Sequence, residues 1–174
     1  LGKGEADVAI RVGAAPAGAG IVARRLPDCP WTAYCSRDYA AANGVPESGS
    51  DLPRHPLVGL EGPVGRIPSA VWLRETAGAD NIRVRCSSLS NVVHALRAGV
   101  GVGMLPCIIG DTEPEIVRCF APIPALDAQT WLIVREEVKS APHVRAFADF
   151  MAARMTGALQ RSEAKARRET VPLA

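Results

Sequence analysis

The sequence predicts an α/β protein, and three observations support this fold class. Short apolar segments with the length of strands alternate with segments whose apolar residues follow helical spacing. Sixteen glycines and 14 prolines, in a chain of 174 residues, separate many of these segments. A hydrophobic fraction of 48% and a charged fraction of 22% are typical of a globular protein that buries a core.

Strands are predicted at the start of the chain. Residues 6–12, ADVAIRV, form a nearly continuous apolar run, which predicts a strand buried on both faces of a parallel sheet. A loop rich in glycine, alanine and proline follows. Residues 21–26 and 31–36 then predict two more strands, interrupted by Pro27 and Pro30.

A short helix is predicted over residues 37–43, because Ser36 can cap its first turn and Gly44 can end it. Further along, residues 56–61 predict a short strand. Residues 67–75 predict an irregular or helical segment.

The middle of the chain reads SSLSNVVHALRAGVGVGMLP, residues 87–106. It follows a strand predicted over residues 81–88, in which apolar and basic side chains alternate between the two faces. Helical spacing then relates Leu89, Val92, Val93 and Leu96. We expect Ser88 or Ser90 to cap this helix, Gly99 to end it, and the next residues to form a strand.

The last third predicts a short turn or helix starting at Pro106, strands in residues 116–122 and 130–136, and one longer helix. The apolar spacing of that helix extends from Ala141 to about Leu159. The charged residues beyond it predict a flexible tail over residues 161–174.

The three alternate glycines, Gly99, Gly101 and Gly103, resemble a nucleotide-binding loop, but the order of elements argues against that interpretation. A phosphate-binding loop leaves a strand and opens a helix, whereas this one closes a helix. We therefore interpret the glycines as a helix C-cap followed by a strand packed too closely for side chains.

No catalytic or metal-binding motif is found in the sequence. His55, His94 and His143 lie in unrelated contexts, without a nucleophile or ligand at motif spacing. We predict no metal, no cofactor and no enzymatic activity. Acidic residues in turns and at element ends are expected to act mostly as caps; these are Asp7, Asp51, Asp111, Glu113 and Glu115.

The serine cluster is the remaining polar feature. Ser87, Ser88, Ser90 and Asn91 surround a predicted helix N-terminus, where hydroxyl and N–H groups can bind a small anionic or polar ligand. The alternative, that one serine caps the helix and the others are incidental, stays open.

The five cysteines are odd in number and lie in largely apolar surroundings, which predicts reduced and mostly buried thiols. That usage suits a cytoplasmic protein. A net charge of +2 gives no reason to expect nucleic-acid binding. No apolar run is long enough for a membrane helix, and the first residues do not resemble a leader peptide.

Five segments taken together resemble the C-terminal effector-binding domain of LysR-type bacterial transcriptional regulators. They are GEADVAIRVG, WTAYCSRDYAAANGVP, DLPRHPLVGL, RCSSLSNVVHALRAGVGVGMLP and HVRAFADFMAARM. Their order and spacing cover residues 1 to about 155. The resemblance implies a periplasmic-binding-protein-like (type 2) fold, with two α/β subdomains joined by crossover strands.

The resemblance also implies domain boundaries. Residues 1–30 and 131–160 would form part of subdomain I, and residues 31–130 would form subdomain II. The first βαβα stretch of subdomain I, and the helix-turn-helix that binds DNA in this family, are expected to be missing before Leu1.

A small-molecule effector would bind in the cleft between the subdomains, and the chain would form a dimer or tetramer. The implied ligand-binding residues are Arg11, Val12, Gly13, Ser87, Ser88, Asn91, Gly103 and Met104. Two alternatives stay open. One is an extracytoplasmic solute-binding protein of the same fold, against which the free cysteines argue. The other is an unrecognised α/β enzyme.

Overall fold

The computed structural model describes residues 6–169, apart from the side chains of residue 163 and residues 165–169. The strands are β1 (Val8–Val12), β2 (Ile21–Cys29), β3 (Trp31–Ser36), β4 (Leu57–Leu60), β5 (Ile82–Cys86), β6 (Val102–Pro106), β7 (Ile116–Arg118) and β8 (Ala128–Arg135). The α-helices are α1 (Arg37–Asn43), α2 (Pro68–Ala77), α3 (Leu89–Arg97), α4 (Cys107–Gly110) and α5 (Pro142–Glu169). Short 3-10 helices occupy Gly49–Arg54, Gly62–Arg66, Ala79–Asn81, Pro124–Leu126 and Glu136–Val138.

The chain divides into two compact units. The first contains the described residues up to Cys29 and those from Asp127 onward, and the second contains Pro30–Leu126.

The first unit is a three-stranded antiparallel sheet with α5 packed on one face. The strand order is β1-β8-β2, so β8 is the central strand. Leu26, Leu132 and Ala152 form the core between sheet and helix, and Val8 packs against it. Burial of these side chains holds the sheet and the helix together.

The prediction that β1 is buried on both faces of a parallel sheet is wrong. Among residues 6–169, β1 is an edge strand that pairs only with β8, in antiparallel orientation. Ile10 and Val12 are 43% and 55% exposed. The apolar run misled the prediction because a continuous run does not distinguish a doubly covered strand from an edge strand.

Helix α5 is longer than its apolar spacing predicted. It continues past Leu159 to Glu169, so residues 161–169 are helical where a flexible tail was expected. Leu159 and Ser162 are both buried, which shows that the helix still packs beyond the predicted end. The residues that follow Leu159 are mostly alanine, glutamine, lysine, arginine and glutamate, which favour helix. The rest of the expected tail, residues 170–174, lies outside the described residues.

The second unit contains a five-stranded mixed sheet with the order β5-β4-β6-β3-β7. β5, β4 and β6 run parallel, and β3 is antiparallel to both of its neighbours. The core joins this sheet to α3 through Val92 and Leu96 on the helix and Val58 and Leu105 on the strands. The alternation predicted for β5 is confirmed, since Ile82 is buried and the arginines are exposed.

The short helix α1 and its caps are confirmed. The Ser36 hydroxyl accepts a hydrogen bond from the Tyr39 N–H at 3.1 Å. Gly44 follows the helix with a φ of 73°, a conformation that favours glycine.

The packing interpretation of the three glycines is confirmed. Gly99, with a φ of 73°, follows the end of α3. A Cβ atom at Gly101 would lie 2.0 Å from the Pro56 carbonyl oxygen. A Cβ atom at Gly103 would lie 3.0 Å from the Val58 carbonyl oxygen and 3.3 Å from Val92. The glycines therefore let β6 approach β4 and α3 closely.

Among residues 6–169, no helix combines the length and apolar character needed to cross a membrane.

Candidate functional site

The N-terminus of α3 carries the predicted serine cluster. Ser88 is the N-cap, and its hydroxyl accepts a hydrogen bond from the Asn91 N–H at 3.2 Å. Ser87, Ser90 and Asn91 are exposed. One serine thus caps the helix, and the neighbouring hydroxyl and amide groups lie in solvent beside the positive end of the helix dipole.

This helix end lies at the carboxyl edge of three parallel strands. Leu60 of β4 is opposite Cys86 of β5, and the Glu61 N–H donates to the Cys86 carbonyl at 2.9 Å. Ser87 follows at the same edge. Open α/β sheets bind ligands outside the carboxyl ends of their strands, so this edge is a suitable place for a ligand.

Gly103 and Met104 lie inside the second unit. Gly103 lies beneath the side chains of Val92 and Leu96 on α3, and Met104 is buried in the central strand β6. Ser87, Ser90 and Asn91, by contrast, are exposed. The structure gives Gly103 and Met104 a packing role, and ligand contact by either stays a prediction.

Arg11, Val12 and Gly13 lie in the first unit, at the end of β1. Arg11 and Val12 are exposed. The Gly13 N–H donates to the Gln129 carbonyl at 2.8 Å, and its carbonyl accepts a hydrogen bond from the Trp131 indole at 3.2 Å. These bonds fix the position at which the chain leaves the sheet.

Two further residues share the sheet face with Arg11, and the sequence did not single them out. Trp131 on the central strand is opposite Arg11 on one side and Arg25 on the other. The Arg25 guanidinium lies 5.1 Å from the centre of the Trp131 ring, and it also forms an ion pair with Asp28. We call Arg11, Trp131 and Arg25 the arginine–tryptophan row. It combines two cationic side chains with an aromatic ring, over which one of the guanidinium groups lies.

A shallow groove of about 230 Å³ lies elsewhere in the first unit, between α5 and the sheet. Its cationic residues include Arg24, which pairs with Asp149 at 2.9 Å, and Lys139, which pairs with Glu136 at 3.1 Å. None of the eight predicted ligand-binding residues lines it. We therefore do not assign the effector to this groove.

The histidines stay separate in the structure. His55 Nδ1 is hydrogen-bonded to the Tyr39 hydroxyl at 2.8 Å, while His94 and His143 are exposed. Within residues 6–169, no three His, Cys, Asp or Glu side chains are grouped so that they could hold a metal ion.

A buried polar cluster in the second unit was missed by the sequence analysis. Asp111 was expected to act as a cap, but its carboxylate forms a two-point ion pair with Arg118, at 2.8 and 2.5 Å. The Tyr34 hydroxyl donates to the same carboxylate at 2.9 Å. Asp51, by contrast, does cap the 3-10 helix at Gly49–Arg54. Asp111 and Arg118 are seven residues apart in the sequence. Tyr34 lies near them because β3 pairs with β7, which spacing along the chain does not show.

This cluster shifts two pKa values upward. Burial raises the pKa of Tyr34 far above its ordinary value, and the nearby Cys107 and Asp111 add to the shift. Burial alone would lower the pKa of Arg118, but its hydrogen bond to Asp111 reverses the shift and raises it. Both groups therefore keep their protons throughout the physiological pH range.

The Tyr34 shift predicts a loss of stability at alkaline pH. The folded chain holds the Tyr34 proton more tightly than the unfolded chain, so its contribution is complete below pH 10 and declines above it. The free energy of unfolding should fall by about 1.4 kcal/mol per pH unit above pH 10 from this group. Urea titrations at successive pH values give the free energy of unfolding as a function of pH. Above pH 10 this free energy should fall less steeply with pH for Tyr34→Phe than for the wild type. An equally steep fall in both proteins would contradict the assignment.

Comparisons with known proteins identify the fold. Residues 1–156 match the family described as LysR substrate binding domain. The regulatory domain of CrgA from Neisseria meningitidis is similar, with 21% identity and a TM-score of 0.68, over 89% of this chain and 78% of that one. The chain also matches a structure of CrgA from the same organism, at 20% identity and a TM-score of 0.68, over 89% of this chain but only 54% of the other.

The effector domain of AmpR from Pseudomonas aeruginosa is a further similar structure. It has 24% identity and a TM-score of 0.60, over 95% of this chain and 76% of that domain. At these identities the structural likeness shows the fold alone. No curated protein sequence matches the chain significantly.

Proposed function

Because the chain belongs to the LysR substrate-binding domain family and has its periplasmic-binding-protein-like fold, we propose that it senses a small anionic metabolite. In this proposal the chain is a non-catalytic domain of a transcriptional regulator, and binding of the metabolite controls DNA-dependent transcription. The family match over residues 1–156 is the observation that carries the proposal.

The charge of the effector is argued from two features of the described residues. Arg11 places a cation on one face of the first unit beside Trp131, while Arg25 on the other side of Trp131 is paired with Asp28. In the second unit, α3 directs the positive end of its dipole and its first-turn N–H groups toward the serine cluster. Both features favour a carboxylate or another small anion over a neutral or cationic ligand.

Roles follow for the predicted site residues. In the first unit Arg11 would supply charge, and in the second unit Ser87, Ser88 and Asn91 would supply hydrogen bonds. Val12 and Gly13 shape the end of β1 beside Arg11. Gly103 and Met104 act mainly through the packing of β6 against its neighbours.

We further propose that the chain acts in the cytoplasm as a homodimer or tetramer. Its DNA contacts would be made by a helix-turn-helix outside the sequence described above. The net charge of +2 gives this domain no general attraction to DNA, which agrees with a separate DNA-binding part.

A thermal-shift screen of small carboxylates tests the proposal. An effector at about 100 times its dissociation constant should stabilise the fold by about 2.7 kcal/mol. Ser88→Ala should reduce that response. The variant also removes a helix cap, so Ser36→Ala, which removes the cap of α1, is the matched control. An equal reduction in both variants would show that Ser88 acts only as a cap.

Replacement of Arg11 tests the contribution of charge. Arg11→Gln should weaken effector binding at least about tenfold, because a hydrogen bond to a charged group contributes about 1.5–3 kcal/mol. Isothermal titration with the carboxylate found in the screen measures the change. Arg83→Gln is the control, since Arg83 is an exposed arginine on β5 outside the proposed site. Equal affinities for wild type and Arg11→Gln would exclude Arg11 from the site.

A further inference from the structure

Two cysteines of the second unit lie in direct contact. The Cys119 thiol donates a hydrogen bond to the Cys35 sulfur, and the two Sγ atoms are 3.8 Å apart. Strand pairing explains the contact. Cys35 is opposite Val117, and the Cys119 N–H donates to the Ala33 carbonyl at 2.9 Å. The two thiols are therefore diagonal neighbours on one face of the sheet.

We propose that Cys35 and Cys119 form an oxidisable dithiol, a modification site at which a hydroperoxide produces an intramolecular disulfide. The inference goes beyond effector binding and does not depend on it. It rests on the contact between the sulfurs, on their different burial, and on the position of Cys119 beside an edge strand.

Burial gives the two cysteines different access to solvent. Cys35 lies in β3, which has a paired strand on each side, and its exposure is 0%. Cys119 is half-buried and directly follows β7, the outermost strand of the sheet. Cys119 is therefore the more exposed residue of the pair, next to the edge of the sheet, and Cys35 is fully buried.

The edge position also permits the sulfurs to approach each other. A disulfide requires them to close from 3.8 Å to about 2.05 Å. β7 has three residues and, within the described part of the chain, pairs only with β3. A side-chain rotation at Cys119, with a small shift of this short edge strand, can provide the movement.

The hydrogen bond between the thiols prepares the pair for ionisation. Donation from Cys119 lowers the pKa of Cys35, although burial opposes that shift, and the same bond raises the pKa of Cys119. The pair therefore loses one proton first and holds the other between its sulfurs. The first thiolate of the pair therefore lies on Cys35, where the Cys119 S–H stabilises it.

The reaction balances with the hydroperoxide as the only oxidant. The thiolate of the pair attacks a peroxide oxygen, the O–O bond breaks, and the departing oxygen takes a proton to leave as water or an alcohol. The sulfenic acid that forms is then attacked by the sulfur of the second cysteine. The S–S bond forms, the S–O bond breaks, and the hydroxyl leaves as water with the proton of the second thiol. Both sulfurs are oxidised and one peroxide is reduced.

Treatment of the purified chain with hydrogen peroxide tests the proposal. Intact mass should show the loss of two hydrogen atoms, reversed by dithiothreitol, and peptide mapping should recover Cys35 linked to Cys119. Cys119→Ala should abolish this loss. Cys86→Ala is the matched control, since it removes another thiol of the same unit and should leave the loss unchanged.

Three results would overturn the proposal. One is added oxygen on a cysteine without the loss of two hydrogens. Another is a loss of two hydrogen atoms that persists in Cys119→Ala, or a disulfide that peptide mapping assigns to other cysteines. The third is no reaction at peroxide concentrations that oxidise the unfolded chain. If circular dichroism shows that Cys119→Ala does not fold, peptide mapping of the oxidised wild type is the test. A Cys35–Cys119 linked peptide would support the proposal, and its absence would overturn it.

Discussion

Arg118→Met is expected to destabilise the chain by about 3–5 kcal/mol, because it removes the cation from a buried carboxylate. The side chains of Arg118 and Asp111 are only 9% and 5% exposed. Their ion pair has two hydrogen bonds, and the Tyr34 hydroxyl donates to the same carboxylate. Water cannot replace the guanidinium there as it would at the surface.

Urea denaturation of both proteins at neutral pH measures the change. The matched control is Arg97→Met, because Arg97 and Glu115 form an ion pair with the same 2.5 Å contact but are 44% and 57% exposed. An exposed pair should contribute less than about 1 kcal/mol. Equal losses in the two variants would contradict the role assigned to burial.

Replacing both partners distinguishes the contribution of the ion pair to stability from the cost of leaving one buried charge without a partner. Arg118→Met combined with Asp111→Leu leaves no buried carboxylate, so the double variant should be more stable than Arg118→Met alone. A double variant that loses the sum of both single effects would show that the two side chains contribute independently, and it would contradict their coupling as a buried pair.

Local features of the fold were predictable from the sequence. The N-caps at Ser36 and Ser88, and the ends of α1 and α3 near Gly44 and Gly99, depend on residues within one or two turns of each other. The serine cluster at the start of α3 was predictable for the same reason. Its position at a helix N-terminus follows from spacing along the chain.

Features that depend on strand pairing were not predictable. The exposure of β1 depends on its having one neighbour rather than two. The arginine–tryptophan row joins residues more than 100 positions apart, and the thiol pair joins residues 84 positions apart. Spacing along one strand shows which side chains share a face, but the register with the next strand decides which of them meet. The family resemblance thus implied Arg11 as a site residue, without its neighbours on the other strands.

Gly101→Ala is the second substitution with a large expected effect, about 3 kcal/mol or more of lost stability. The new Cβ atom would lie 2.0 Å from the Pro56 carbonyl oxygen. That oxygen belongs to the backbone and accepts the Val102 N–H at 2.9 Å, so it cannot move without disturbing the start of β6. Thermal and urea denaturation should both detect the loss.

Gly18→Ala isolates the steric part of this effect. Gly18 and Gly101 have nearly the same φ, 158° and 159°, so the backbone cost of adding a side chain should be similar at the two positions. At Gly18 the nearest atom to the new Cβ, Ile21 Cδ1, lies at 3.8 Å, an ordinary van der Waals distance. Gly101→Ala should therefore be much more destabilising. If the two variants are equally stable, conformational freedom explains the glycine that precedes β6, and the close approach to Pro56 does not.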